Sequence, residues 1–144
     1  MTAAACRLVY LMAFIVAAAG CSHEAQKGQV SGKVLFNAQP VPAGWISFMP
    51  DTTAGNRGTV KVAQIKDGVY NTAVEPDPGV FPGATVVRIA GFDGKKQPFF
   101  PQGKQIFNPI ELREVLPEGT STKDFTIPAS AANNLKIERT ADVP

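Results

Sequence analysis

Residues 84–92 read ATVVRIAGF, and this stretch decides the fold class of the chain. Its nearly continuous apolar and β-branched character predicts a well-buried strand. The pair Asp93-Gly94 follows directly and predicts a turn. A second Asp-Gly pair, at residues 67–68, separates the apolar-rich stretches 59–65 (TVKVAQI) and 69–74 (VYNTAV) and predicts a β-hairpin. The middle of the chain therefore favours short strands joined by turns.

Two further strands are predicted before this region. Residues 29–36 (QVSGKVLF) have the period of two that marks a half-buried strand, and one face carries Val30, Val34 and Phe36. Residues 45–49 (WISFM) follow after a turn that contains two prolines. In this strand Trp45 lies on the face opposite to Ile46 and Phe48.

The second half of the chain carries weaker strand signals. Residues 75–83 (EPDPGVFPG) contain three prolines and are predicted to form a loop. After Gly103 a less regular region is predicted through Asn108 and Pro109 to Pro117, and two last short strands are expected at residues 125–127 and 135–137. The pattern predicts an all-β fold, namely a single antiparallel Greek-key β-sandwich of about seven short strands.

Length, charge and cysteine usage limit the function classes. The chain has 144 residues, which suits one domain, expected over residues 29–144. Its net charge is +2, and the basic residues are scattered among acidic ones, so nucleic acid is not expected as a partner. Of the two cysteines, Cys6 lies in the N-terminal segment and Cys21 follows it, so no disulfide is expected within the mature domain.

The N-terminal segment has the order of a secretory signal. Arg7 supplies the basic start, residues 8–16 (LVYLMAFIV) are continuously apolar, and small residues precede Cys21. The apolar run is too short for the roughly 20 residues that a membrane-spanning helix needs. We therefore expect residues 1–20 to be a signal helix that is cleaved from the mature protein.

The tail Ala18-Ala19-Gly20-Cys21 resembles the lipobox of bacterial lipoproteins, although Ala18 stands where that family prefers Leu. The resemblance implies cleavage between Gly20 and Cys21 and a diacylglycerol on the Cys21 thiol. It also implies a lipidated tether over residues 21–28 and a domain that faces the periplasm or the cell exterior. Ordinary secretion without a lipid is the alternative.

The mature chain resembles the carboxypeptidase regulatory-like domain of transthyretin-like topology, notably in small lipoproteins of planctomycete-type bacteria. The resemblance covers about residues 28–91 and rests on turn and core motifs: Val30-Ser31-Gly32-Lys33-Val34, Gln39-Pro40-Val41-Pro42-Ala43-Gly44, Ile46-Ser47-Phe48-Met49-Pro50, Asp67-Gly68-Val69-Tyr70, and Pro78-Gly79 leading to Val86-Val87-Arg88-Ile89. Because such motifs specify a fold, the resemblance implies a β-sandwich and little about activity.

No catalytic or metal-binding set of residues is predicted. The single histidine, His23, lies on the tether and is expected to be solvated. Glu75 and Asp77 could face a cation, but Ca²⁺ requires about six to eight oxygen ligands and their neighbours are prolines. Hydrolases of transthyretin topology use His and Arg residues, and the expected domain contains no His. The chain is therefore predicted not to be an enzyme and to hold no cofactor and no metal.

Two chemical alternatives stay open at this point. An isopeptide bond could join Lys33 to Asn71 or Asn134, because all three residues lie in predicted strands. An enzyme with an unfamiliar carboxylate mechanism would need Glu111 or the acidic loop residues in a concave pocket.

Three aromatic residues form the candidate binding surface. Trp45 lies on the outer face of its strand, and Phe99-Phe100 lies between prolines, where a core-facing strand cannot form. Exposed aromatic rings can stack on sugars or bind a protein. The alternative is that these rings cover an open edge or end of the sandwich.

These observations favour a lipid-anchored cell-envelope protein whose β-sandwich is a non-enzymatic structural or interaction module. Its expected partners are the membrane, through the anchor, and an envelope protein or a glycan. The alternative function is a carbohydrate or peptidoglycan-binding module that uses Trp45, Phe99 and Phe100.

Overall fold

The structure, a computed structural model, describes residues 26–74 and 76–132. This part of the chain forms nine strands and two short 3-10 helices, Thr52–Ala54 and Ala129–Ala132. The strands are β1 (Gln29–Phe36), β2 (Gln39–Pro40), β3 (Ala43–Pro50), β4 (Lys61–Lys66), β5 (Val69–Asn71), β6 (Gly83–Phe92), β7 (Gln105–Leu116), β8 (Thr120–Thr122) and β9 (Phe125–Ile127). The signal segment, the cleavage site at Gly20 and Cys21, His23, Glu75, Asn134 and the strand predicted at residues 135–137 lie outside the described residues.

The strands form one curled sheet in the order β2-β1-β5-β4-β3-β6-β7. Neighbours along this path are antiparallel, whereas β8 and β9 pair in parallel with β1 outside the path. Residues 31–33 of β1 pair with β5, and residues 34–36 of the same strand pair with β9. β1 therefore changes partners halfway along its length, and the sheet curls around the core at this point.

The curled sheet brings its first and last long strands together across the core. The ring centroids of Phe36 in β1 and Phe107 in β7 are 5.1 Å apart. Tyr70 lies between Phe48 and Phe125, with centroid distances of 5.9 and 6.0 Å. Around these rings pack the fully buried aliphatic side chains of Val30, Val34, Val41, Ile46, Ile65, Val80, Val87, Ile89 and Ile127. The predicted all-β sandwich is confirmed, and burial of this apolar set is its main stabilising contribution.

Several predicted strands match the structure closely. β1 coincides with the predicted stretch 29–36, and β6 begins one residue before the predicted stretch 84–92. The hairpin turn is confirmed, with positive φ angles of 49° at Asp67 and 76° at Gly68, as a tight turn of the primed type requires. β5 is shorter than predicted because the Asn71 side chain accepts the backbone N–H two residues further on and turns the chain away.

The region predicted to be less regular is instead the longest strand over residues 105–116, so this prediction is wrong. β7 lies at the edge of the sheet, where it pairs with β6 alone among the described strands. Its register to β6 shifts twice between Ile89 and Phe92, which marks one irregularity at Asn108-Pro109 and a second at Ile106. An edge position and a bulge both tolerate proline, and these two features allow the strand to continue past Pro109.

The sandwich has two ends that matter for function. At the entry pole the chain enters β1 from Gly28, whose N–H donates to the Val80 carbonyl, and β6 begins there too. At the far pole lie the β4–β5 turn at residues 67–68 and the loop 93–104 between β6 and β7. β1 and β6 run in the same direction, since four antiparallel pairings connect them. A strand of β6's length spans about 33 Å, which separates the two poles.

Candidate functional site

Residues 93–104, here called the aromatic loop, leave the far pole with a closed base. The Asp93 carboxylate accepts the backbone N–H groups of Lys95 and Lys104, at 2.9 and 3.0 Å. The hydrogen bond from Lys95 and that from Lys104 hold the pKa of Asp93 below its ordinary value, against the smaller opposing effect of burial. Gly103 packs against this carboxylate with a φ of 86°, where any side chain would collide with it. The base of the loop is therefore held by this carboxylate together with two backbone hydrogen bonds, from Asp93 to Lys104 and from Gly94 to Gln102.

The tip of the aromatic loop is a tight turn that carries both phenylalanines. Gln97 and Phe100 exchange two backbone hydrogen bonds, of 3.1 and 3.0 Å. Pro98 and Phe99 occupy the central positions, and Phe99 has a φ of 69°. Proline followed by a residue with positive φ is the arrangement of a type II turn, which ordinarily has Gly or Asn at the second position. Phe99 is 97% exposed and Phe100 is 59% exposed.

Phe99 adopts a strained backbone conformation without gaining burial. A left-handed conformation costs a residue with a Cβ atom about 1–2 kcal/mol, and a bulky side chain there is a genuine outlier. The Phe99 ring recovers none of this through burial, because almost all of its surface faces solvent. This combination makes Phe99 a candidate for contact with a ligand or partner.

The aromatic loop also concentrates positive charge. The segment 94–105 contains Lys95, Lys96 and Lys104, all exposed, and has no acidic residue. Beside it, a groove of about 360 Å³ separates the loop from the β4–β5 turn and is lined by Lys66 as well as by Lys95 and Lys96. Asp67 also lines this groove. A partner that approaches the far pole meets two aromatic rings with lysines on their flanks.

The third predicted aromatic residue lies elsewhere. Trp45 is half-buried on the outer face of the sheet, where its strand neighbours are Gln64 in β4 and Ala90 in β6. Met49 and Val62 are partly exposed on the same face. The predicted binding surface is therefore divided: Phe99 and Phe100 share the loop tip, and Trp45 belongs to the sheet.

The acidic loop after β5 holds its described carboxylate in an ion pair. Asp77 accepts from the Lys27 ammonium group at 2.6 Å, and this hydrogen bond and charge lower the pKa of Asp77. The nearby Lys61 ammonium group, which is buried, donates to the carbonyl oxygens of Pro76 and Asp77 at 2.8 and 2.7 Å. Lysines therefore occupy the positions from which a cation would be bound. Within residues 26–74 and 76–132, no group of three His, Cys, Asp or Glu side chains could hold a metal ion.

The remaining candidate residues lie in exposed positions. Lys33 and Asn71 are two positions apart across the β1–β5 pairing, both exposed, and the Asn71 side chain accepts a backbone N–H. An isopeptide bond forms between buried partners beside an acid, and this pair lacks that burial. Glu111 lies on the outer face of β7 and faces Arg88 at 3.8 Å, on an open sheet surface.

Sequence reasoning found the two tip aromatics but missed their surroundings. The absence of acidic residues from position 94 to position 105 was a readable signal for a basic loop. The strained φ of Phe99 had a partial signal in the Pro98-Phe99 order, since proline favours the first central position of a turn. Asp93 closes the loop partly by accepting the backbone N–H of Lys104, eleven residues away, and no local pattern indicates this hydrogen bond.

In the part of the chain that the structure describes, no helix has the length and apolar character needed to cross a membrane. No known protein-family model matches the chain. No curated protein sequence matches it either.

Proposed function

We propose that this protein is a lipid-anchored component of the bacterial cell envelope. In this proposal the signal is removed after Gly20, Cys21 carries the lipid, and residues 21–28 connect the membrane to the sandwich. The sandwich then acts as a non-enzymatic interaction module that presents the aromatic loop. The resemblance to transthyretin-like, carboxypeptidase regulatory-like lipoproteins supports this role, because such domains are scaffolds for surface loops.

The exposure of Phe99 at the far pole is the observation that carries the proposal. The tether joins the sandwich at the entry pole, about 33 Å from the far pole. An anchored domain of this shape directs the aromatic loop away from its point of attachment. Phe99 and Phe100 are thereby accessible to a partner in the envelope.

The anchor is tested by metabolic labelling with a fatty-acid probe in cells that express the wild-type chain or Cys21→Ala. We expect label on the wild-type protein, which remains with the membranes, and no label on Cys21→Ala. A wild-type protein that starts at Met1 and is found free in the cell extract would refute the anchor.

The interaction role is tested by a photo-reactive residue at position 99 in intact cells, with the same residue at Val74 as the control. Both positions are strongly exposed, but only the first lies on the aromatic loop. We expect a defined envelope protein to be captured from position 99 and not from position 74. No capture at position 99, or equal capture at both positions, would argue against this site.

The alternative is a glycan-binding module, and the same loop favours it because an exposed ring beside polar side chains can stack on a sugar. Binding to isolated peptidoglycan would then be lost in Phe99→Ala/Phe100→Ala and retained in Trp45→Ala. A domain that sediments equally with and without peptidoglycan would exclude this alternative.

A further inference from the structure

The outer edge of β7 offers a second interaction surface, far from the tip of the aromatic loop. β7 is the last strand in the sheet order, and among the described strands only β6 pairs with it. Its twelve residues form the longest strand of the molecule. A long strand whose second edge has no strand partner among the described residues can offer backbone N–H and C=O groups to another chain.

The pairing of β6 determines which groups of β7 face outward. The N–H of Asp51 donates to the Ala84 carbonyl. Ala84 and every second residue after it in β6 therefore direct their backbone groups toward β3. The alternate residues, Thr85, Val87 and Ile89, therefore bond to Glu114, Leu112 and Ile110 of β7. The backbone groups of the residues between these point to the open edge, at Pro109, Glu111, Arg113 and Val115.

These four residues also have their side chains on one face of the sheet, which is the solvent face. The side chains of Glu111 and Arg113 are 54% and 75% exposed, and Val115 is 78% exposed. Glu111 and Arg113 carry opposite charges at alternate positions, and within the chain Glu111 lies 3.8 Å from Arg88 and Arg113 lies 3.4 Å from Asp51. The edge is therefore marked by one acidic residue, one basic residue and an apolar residue on either side.

This pattern is complementary to itself in a single two-fold register. If Leu112 lies opposite Leu112 of a second copy, each Glu111 faces Arg113 of the other copy and each Val115 faces Pro109. A shift by one residue pair in one direction would place Glu111 opposite Glu111. The same shift in the other direction would place Arg113 opposite Arg113. Charge thus selects one antiparallel register out of the neighbouring ones.

Pro109 fits this register as well. It lacks an N–H group, and its place in the pairing is at the end, where only its carbonyl oxygen accepts from Val115 of the second copy. The arrangement provides about six backbone hydrogen bonds over seven residues of each chain. Beyond Pro109 the bulges change the direction of the strand, so the pairing ends there and does not propagate into a fibre.

We propose that two copies of this chain associate through β7, antiparallel, with Leu112 on the two-fold axis and Glu111 paired to Arg113 of the second copy. The contact is small compared with the roughly 1,200 Å² or more of stable interfaces, so the dimer is weak in free solution. The antiparallel pairing places the entry poles of the two copies at opposite ends of the dimer, so a shared membrane anchor does not favour it. The dimer itself does not depend on the anchor or on the aromatic loop.

The test is sedimentation of the full chain, purified in detergent, over a range of protein concentrations. We expect concentration-dependent dimerisation of the wild type and at least a tenfold weaker association for Glu111→Arg and for Arg113→Glu. Each of these changes places like charges opposite one another across the axis, and each also removes an ion pair within the chain, Glu111 with Arg88 or Arg113 with Asp51. The double variant Glu111→Arg/Arg113→Glu restores opposite charges, and its association is expected to return to within about threefold of the wild type.

Matched controls separate this effect from net charge. Arg57→Glu and Glu118→Arg make the same changes of charge at exposed loop positions, and we expect both to dimerise like the wild type. Thermal unfolding of each variant checks that the fold is intact. A wild type that is monomeric at all concentrations, or a double variant as weak as the single ones, would overturn the proposal.

The register is tested separately by Leu112→Cys in the full chain. Leu112 residues that face each other across the axis have Cα atoms about 4.5 Å apart, within the range that a disulfide bridges. Under mild oxidation we expect a disulfide-linked dimer from Leu112→Cys and none from Val115→Cys, with the unsubstituted chain as the background. Equal crosslinking of both variants would refute the proposed register.

Discussion

At the scale of the residue, Phe99 combines backbone strain with almost complete exposure, and this combination can be tested by stability alone. Replacement by glycine removes the strain of the left-handed conformation and no internal packing. We expect Phe99→Gly to raise the free energy of unfolding by about 0.5–1 kcal/mol in urea titrations. A loss of stability would mean that the ring packs within the protein and is not reserved for a partner.

Gly32 has the opposite character, because it allows the segment between β8 and β9 to approach β1 closely. A Cβ atom at this position in β1 would collide with the Lys123 carbonyl group. We expect Gly32→Ala to destabilise the domain by about 2–3 kcal/mol, since the backbone of another segment must move. Ser31→Ala, one position earlier in β1, is the control and should change stability by less than about 1 kcal/mol. Urea unfolding of both variants makes the comparison.

Tyr70 links the core to alkaline stability. Its hydroxyl donates to the Lys123 carbonyl at 2.7 Å, and burial, followed by the charge of Asp124, raises the pKa of Tyr70 well above its ordinary value. Because this pKa is raised in the folded state, Tyr70 contributes to the free energy of unfolding. The contribution is fully present below the unfolded pKa of about 10 and is lost as the pH rises beyond it.

We therefore expect Tyr70→Phe to be less stable than the wild type by about 1 kcal/mol at pH 7, because the hydrogen bond is lost. The difference should shrink between pH 9 and pH 11, where the wild type has to retain a neutral phenol. Urea titrations across this range give the measurement. A difference that stays constant with pH would show that Tyr70 ionises as easily in the folded protein as in the unfolded one.

At the scale of the element, the aromatic loop depends on Asp93, whose carboxylate accepts backbone N–H groups at both ends of the loop. Hydrogen bonds to a charged acceptor contribute about 1.5–3 kcal/mol each. We expect Asp93→Ala to open the loop and to accelerate tryptic cleavage after Lys95 and Lys96 at least tenfold. Glu118→Ala, in an exposed turn, serves as the control.

The lowered pKa of Asp93 adds a pH dependence to the same element. Its stabilising contribution is present above the unfolded pKa of about 4 and is lost as the pH falls through the lower folded value. The loop in Asp93→Ala should therefore be insensitive to acid in hydrogen exchange, whereas the wild-type loop should lose protection. Equal protection of the two proteins at pH 6 would contradict a role of Asp93 in closing the loop.

The elements also show why some strands are readable in the sequence and others are not. β1 and the β4–β5 hairpin follow local rules, because alternation and an Asp-Gly turn act within a few residues. β7 contains Asn108-Pro109, which reads as a break. Its edge position makes the missing N–H harmless, and that position follows from the sheet order, which no local pattern states.

At the scale of the whole molecule, the same distinction applies to the candidate site. The prolines around Phe99-Phe100 exclude a core-facing strand, so the exposure of these rings could be predicted from neighbouring residues. The separation of Trp45 from them could not, because it depends on which face and which pole of the sandwich each segment reaches. The groove beside the aromatic loop likewise joins Lys66 to lysines some thirty residues away along the chain.

The parallel pairing of β1 with β9 has a consequence for the order of events during biosynthesis. Val34, Leu35 and Phe36 meet their partners at Phe125, Thr126 and Ile127, about ninety residues later in the chain. Contacts at such separation form late and slow the acquisition of the native state. The nascent chain cannot complete its core until the ribosome has added these residues. An N-terminal signal that directs translocation would have this interval in which to engage a narrow export channel.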